Sequence, residues 1–376
     1  MHSTFSLGRI FGIPVGVSYT WFAIFILVSF LVFDQLSFHL PRWGPVAIAG
    51  MAGATGLLFF GSILVHELAH SLMATRHSLP VRGITLFLLG GVSHISREAR
   101  RPWIEFMVAV VGPLMSLGLA AALLAVAFFV APVFLTGRLR EAVTVVAFLL
   151  GWTNLALGVF NLLPGFPLDG GRVLRAGIWG LTGNYWLATN VAVISGQAFA
   201  VALAVGSVFI FLQTNSFLNL WPVMVSVFIF IAATSARSAA RDRRRLASVT
   251  LGEVVAPDLV PAEATIAEAV SLHLMRTGRS AALVGVDGVP AGVLHLGELR
   301  RLPRDVWGIA STIQVMTPLS SFSALESSQP ASEAIELLEE EDRPPGVLVV
   351  ENGRLVGVVT RGDLYGYMRL RRALKL

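Results

Sequence analysis

Six stretches of the chain are apolar for long enough to cross a bilayer core, which takes about 20 helical residues. They run from about Val15 to Phe33, Val46 to Met73, Ile104 to Val130, Ala142 to Leu163, Leu187 to Leu212 and Phe217 to Ala233. No small-x-small cleavage pattern follows the first, so it is expected to stay as a helix and not to be removed as a leader. Between the second and third runs, Val81 to His94 is too short to span and rich in strand formers. It predicts a hairpin dipping into the membrane edge, with Gly90-Gly91 as its turn. Gly112-Pro113 inside the third run predicts a kink, and Gln197 inside the fifth predicts a hydrogen bond to a neighbouring helix.

From about Leu251 the pattern turns soluble and repeats itself. Gly288-Val289-Pro290-Ala291-Gly292-Val293 matches Gly353-Arg354-Leu355-Val356-Gly357-Val358. In each copy a helical stretch, about Thr265 to Arg276 or Ala331 to Glu341, precedes a strand, Ala281 to Val286 or Gly346 to Val350. Asp287-Gly288 or Asn352-Gly353 then makes a tight hairpin turn. The expected organisation is a membrane part over 1–236, a basic juxtamembrane linker over 237–250, and two copies of an α/β module over 251–311 and 312–376.

Composition agrees with the pattern. Of 376 residues 55% are hydrophobic and 14% charged, against about 25% charged in a soluble domain, so most of the chain belongs in a membrane. The net charge of +5 does not point to nucleic acid, because the basic residues sit in short loops between apolar runs. Arg76, Arg82, Arg97, Arg100 and Arg101 lie after the second run, Arg172 and Arg175 after the fourth, and Arg237, Arg241, Arg243, Arg244 and Arg245 after the sixth. The opposite side has Arg42, Arg138 and Arg140. The excess of positive charge places both termini, the repeated tail, the segment His66 to His70 and Asp169 on the cytoplasmic side. The cluster after the sixth run is expected to meet anionic lipid.

Chemistry concentrates at Ile63-Leu64-Val65-His66-Glu67-Leu68-Ala69-His70. On a helix the two histidines stand one turn apart on one face and can reach a single metal ion, with Glu67 beside them. Ionisable groups at hydrocarbon depth cost about 2.5–3.5 kcal/mol each, which argues against a chance grouping. The chain has no cysteine, so His, Asp and Glu are the available donors for zinc. Asp169, the one carboxylate between Glu141 and Asp242, is the candidate third ligand; it also reads as a cap for a following short helix. Asn161 carries an amide able to donate to a developing oxyanion. His94, alone after a turn, reads as a polar surface residue.

His66-Glu67-Leu68-Ala69-His70 together with Asn161-Leu162-Leu163-Pro164-Gly165-Phe166-Pro167-Leu168-Asp169-Gly170 resembles the paired signatures of the site-2 protease family of zinc intramembrane metalloproteases. Phe87 to Gly91 is similar to that family's membrane-inserted hairpin, and Gly112-Pro113 with Ser116 to its third-helix motif. The tail resembles a pair of CBS domains. The resemblance implies a multi-pass membrane endopeptidase that cuts within the transmembrane segment of another protein. It also implies zinc on His66, His70 and Asp169, Glu67 as general base, and Asn161 on the substrate carbonyl. Gly90 and Gly91 would help bind substrate as an added strand. CBS pairs often bind adenine nucleotides through a pattern that Gly357-Val358-Val359-Thr360-Arg361-Gly362-Asp363 matches, whereas the first copy has His295 and Glu298 in the equivalent places. One regulatory nucleotide at Thr360 and Asp363 is therefore expected, as is a homodimer through the CBS domains. The rival reading is a channel or transporter gated by such a tail.

Overall fold

The computed structural model describes residues 4–88, 90–95, 99–338 and 344–374. It divides into two compact units, Met1–Ser238 and Ala239–Leu376.

The first unit opens with a hairpin of β1 (Phe5–Ile10) and β2 (Ile13–Val17). The first apolar run therefore begins as strand, not helix. Its β-branched Val15 and Val17 are buried against a partner strand, and Ser18 then caps helix α1 (Tyr19–His39). Helix α2 (Pro45–Arg76) starts with proline in its first turn, where the missing N–H costs nothing. Strands β3 (Val81–Phe87) and β4 (Gly90–Ile95) pair antiparallel, and β3 pairs parallel with β2. The sheet order is β1-β2-β3-β4, so β4 is an edge strand. Gly90 and Gly91 are not the turn that the sequence suggests. They are the first residues of β4, opposite Phe87 and Leu86, with Gly90 at φ 128°.

Helix α3 (Pro102–Phe134) contains Pro113 and, further on, a π-helical turn at Val126–Val130. Helix α4 (Gly137–Asn161) is followed by a loop and the short α5 (Asp169–Thr182), which Gly183 ends in the left-handed conformation. Helix α6 (Tyr185–Thr214) and the part of α7 (Trp221–Ala247) up to Ser238 complete the unit. Gln197 donates to Thr234 at 3.0 Å, the expected bond between helices, here α6 and α7. The basic stretch Arg237 to Arg245, expected as a linker, continues α7 as helix. Six of these helices, all but α5, are long and apolar enough to span a bilayer, and the chain is a multi-pass membrane protein.

One buried ion pair fixes α5 against α3. Arg175 Nε donates to Glu105 Oε1 at 2.6 Å and Nη1 donates to the Tyr185 hydroxyl at 2.7 Å. The guanidinium also lies over the rings of Phe166 and Tyr185, 4.8 and 4.9 Å from their centroids.

In the second unit, β5 (Leu259–Pro261), a helical segment α8 (266–277), β6 (Ala281–Val286) and β7 (Val289–His295) form the first copy. The strand β8 (Thr317–Pro318) completes its sheet in the order β5-β6-β7-β8. The second copy follows as β9 (Ala324–Glu326), α9 (Ala331–Leu338), β10 (Val347–Glu351), β11 (Arg354–Val359) and α10 (Arg361–Ala373). The predicted last turn of α9, Glu339 to Glu341, lies outside the described residues. Both hairpin turns have two positive φ angles, 50° and 79° at Asp287-Gly288, 52° and 76° at Asn352-Gly353, as the sequence requires. Leu283 and Val293 of one copy pack with the matching Leu348 and Val358 of the other, so the duplication supplies its own interface.

Replacing Arg175 by alanine removes the guanidinium from beside the buried Glu105 carboxylate, a loss of about 3–5 kcal/mol for a buried pair. The expected outcome is a lower unfolding temperature of the purified protein in detergent than wild type, read by intrinsic tryptophan fluorescence.

Candidate metal centre

His66 and His70 lie in the last part of α2, one turn apart and nearly without exposed surface. Asp169 is the first residue of α5. Leu168 is the N-cap and no side chain caps the helix, so the capping role open to Asp169 does not hold. Its carboxylate reaches across to α2 instead. Oδ2 lies 3.2 Å from His66 Nε2 and 3.1 Å from His70 Nε2, and the two Nε2 atoms are 3.2 Å apart.

Each ring is hydrogen-bonded on its far side as well. His70 Nδ1 is 2.6 Å from the Val108 carbonyl, which only accepts, so Nδ1 carries the proton, and in its neutral form the ring presents a lone pair at Nε2. His66 Nδ1 is 2.9 Å from the Ser116 hydroxyl, which can either accept from it or donate to it. With both rings neutral and protonated at Nδ1, two lone pairs and a carboxylate oxygen face one another in a buried site, an arrangement that a cation stabilises. Donors about 2.0–2.1 Å from a tetrahedral zinc stand about 3.3 Å from each other. The observed separations are close to that, and three donors leave a fourth position open. The residues fit zinc. Among the described residues, His66, His70 and Asp169 are the one group of three or more potential ligands converging in this way.

Helix α3 is shaped to make this possible. Val108, Gly112 and Ser116 follow at intervals of one turn on one face. A β-carbon at Gly112 would collide with the His70 ring and stand 2.8 Å from His66 Nε2. In the sequence Gly112 stands out with Pro113 as a kink and with Ser116 as part of a motif; the spacing of one turn from Val108 to Gly112 to Ser116 is the signal for their part in orienting the histidines.

The three donors open on a cavity of about 570 Å³. Glu67, Asn161 and Arg172 give it further polar lining, while Ile24, Phe60, Leu157, Phe228 and Ile229 line it with apolar side chains. Gly90 and Gly91 also line it. Gly91 is required by close approach, since a β-carbon there would stand 2.6 Å from Glu67 Cγ. His94 is not part of the group; its Nε2 is 3.2 Å from the Thr85 hydroxyl. Arg172, three residues after Asp169 and therefore on the same face of α5, was counted only as a loop charge in the sequence.

Comparison with known proteins agrees with this chemistry. Residues 54–205 match the model of peptidase family M50, and residues 313–370 match that of the CBS domain. A protein of Synechocystis sp. that bears the name of a zinc metalloprotease is 32% identical over 97% of this chain and 95% of its own. The chain belongs to peptidase family M50. The zinc metalloprotease Rip3 of Mycobacterium tuberculosis is 30% identical, over 97% of this chain and 92% of its own. The solved site-2 protease of Methanocaldococcus jannaschii, 26% identical, covers 62% of this chain and 94% of its own at a TM-score of 0.41. This M50 chain is a zinc metalloprotease, with a CBS domain in its tail.

In that tail, Thr360 and Asp363 meet the first copy. Thr360 donates its backbone N–H and its hydroxyl to Asp363 Oδ2, both at 2.8 Å, which caps α10. The Ser280 hydroxyl is 2.8 Å from that of Thr360, and Arg279 Nε is 3.8 Å from Asp363 Oδ1. At the equivalent place in the first copy, burial pushes His295 below the ordinary imidazole range against the opposing charge of Glu298.

Replacement of Gly112 by alanine should push the histidine rings apart. Zinc per chain in the purified protein, measured by atomic emission, is expected to fall to a small fraction of the wild-type value while the chain still inserts in the membrane.

Proposed function

We propose that this M50 enzyme cleaves a peptide bond within the transmembrane segment of a membrane-protein substrate. His66, His70 and Asp169 hold the zinc, and Glu67 is the general base. The observation that carries the reading is the cavity itself, which sets the three donors, Glu67 and Asn161 beside apolar side chains able to receive a hydrophobic segment. Zinc held there supplies Lewis acidity for attack of water on the scissile carbonyl. Glu67 takes the proton of that water and passes it to the departing amine. Asn161 donates from its amide to the carbonyl oxygen as negative charge develops. The scissile region must leave its helix to be cut, and an unwound segment needs partners for its backbone groups. Strand β4, which among the described residues lies at the end of the sheet and begins at Gly90 and Gly91, offers them by strand addition.

Loop charge supports a cytoplasmic site, termini and tail. The basic end of α7 meets anionic lipid. An adenine nucleotide binds the CBS pair at Thr360 and Asp363, next to Arg279 of the first copy, and regulates cleavage; the pair also mediates homodimerisation. The support for this site is the sequence pattern together with the juxtaposition of Thr360 with Ser280 and of Asp363 with Arg279.

The decisive comparison is wild type against Glu67→Gln, reconstituted in vesicles with a single-span membrane protein. Wild type should yield two fragments cut within the span, and the variant should lose at least about 100-fold in rate with one zinc per chain retained. Cleavage by the variant at the wild-type rate would remove Glu67 from its role. For the tail, Asp363→Ala should abolish binding of a fluorescent adenine nucleotide to the full-length protein, and unchanged binding would contradict the site.

A further inference from the structure

Glu67 stands beside the three donors, but its helix alone does not fix where its carboxylate points. The side chain is long and has several rotamers to lose. It is held from the opposite side by β4. Ser93 Oγ donates to Glu67 Oε2 at 2.6 Å and also lies 3.0 Å from the Glu67 backbone oxygen. A hydroxyl has one proton, and the charged, nearer acceptor is the stronger partner. Ser71, one turn along α2 from Glu67 and without exposed surface, donates its own hydroxyl to Ser93 Oγ at 3.1 Å. The bonds run in one direction, Ser71 to Ser93 to Glu67, and each donation strengthens the next. Gly91 lies two residues before Ser93 on the same face of the strand, against Glu67 Cγ.

From this geometry we infer that Ser93 is a positioning residue for the general base. It fixes Glu67 through Oε2 and leaves Oε1 for the proton of the attacking water. Ser93 also belongs to the edge strand offered to the substrate, so one strand both receives the substrate backbone and aims the base. The inference rests on Glu67 acting as general base, and its test separates the two.

The test measures zinc content, kcat and KM for the full-length protein in detergent with a transmembrane peptide substrate. Ser93→Ala should lower kcat about 10- to 100-fold, the effect of one hydrogen bond to a charged group, with KM and zinc unchanged. Threonine and valine share a shape and both suit a strand, but threonine keeps the hydroxyl. Ser93→Thr should therefore stay within a few-fold of wild type and Ser93→Val should fall with Ser93→Ala. If the alanine variant does not fold, the threonine and valine pair decides alone. Wild-type kcat in Ser93→Val, equal loss in both members of the pair, or a change confined to KM or zinc would overturn the inference. Glu67→Gln is the control. If it still cleaves, the assignment of the base fails; if it is dead while Ser93→Val is active, the role of Ser93 alone fails.

Discussion

The site depends on a proton placed on the far side of an imidazole. The Val108 carbonyl holds the His70 proton on Nδ1, so in the neutral ring Nε2 faces Asp169 as a bare lone pair. In a buried site such an opposition is unfavourable on its own, and it turns into a reason to bind a cation. The rest of the first unit can be understood as the means of keeping these atoms in place. Helix α2 supplies both rings, α3 supplies Val108 and Ser116 with Gly112 between them, and α5 brings Asp169 to the third corner.

None of these elements can shift alone. The Glu105 and Arg175 pair joins α3 to α5, so the helix that orients the rings is tied to the helix that carries the third donor. The guanidinium packs on Phe166, in the loop that leads to Asp169. The sheet closes the opposite side, with Gly91 and Ser93 set against Glu67. Charged groups are rare at this depth, and here Glu67, Asp169, Glu105 and Arg175 each have a stated partner or a stated task.

Much of this was legible in the sequence, and the reasons for success and failure are physical. His66, Glu67 and His70 are read from helical spacing, and Asp169 stands out because apolar segments leave few carboxylates to choose from. The duplicated tail follows from its repeated glycine turns, where two positive φ angles leave little choice of residue. The start of the first span was misread because Ile13 to Val17 is equally apolar as strand or helix, and only pairing with β3 selects the strand. Gly90-Gly91 was misread as a turn because close approach to Glu67 demands the same residue as a bend does. Val108 was invisible because its backbone carbonyl does the work, whatever its side chain.

The central claim is that two imidazoles and one carboxylate hold a single zinc with a position left open. X-ray absorption at the zinc edge of the purified full-length protein tests it directly. One zinc per chain is expected, with two imidazole nitrogens and light oxygen donors at about 2.0–2.2 Å. A zinc lacking imidazole scattering, or a protein that retains no zinc with His66, His70 and Asp169 intact, would contradict it.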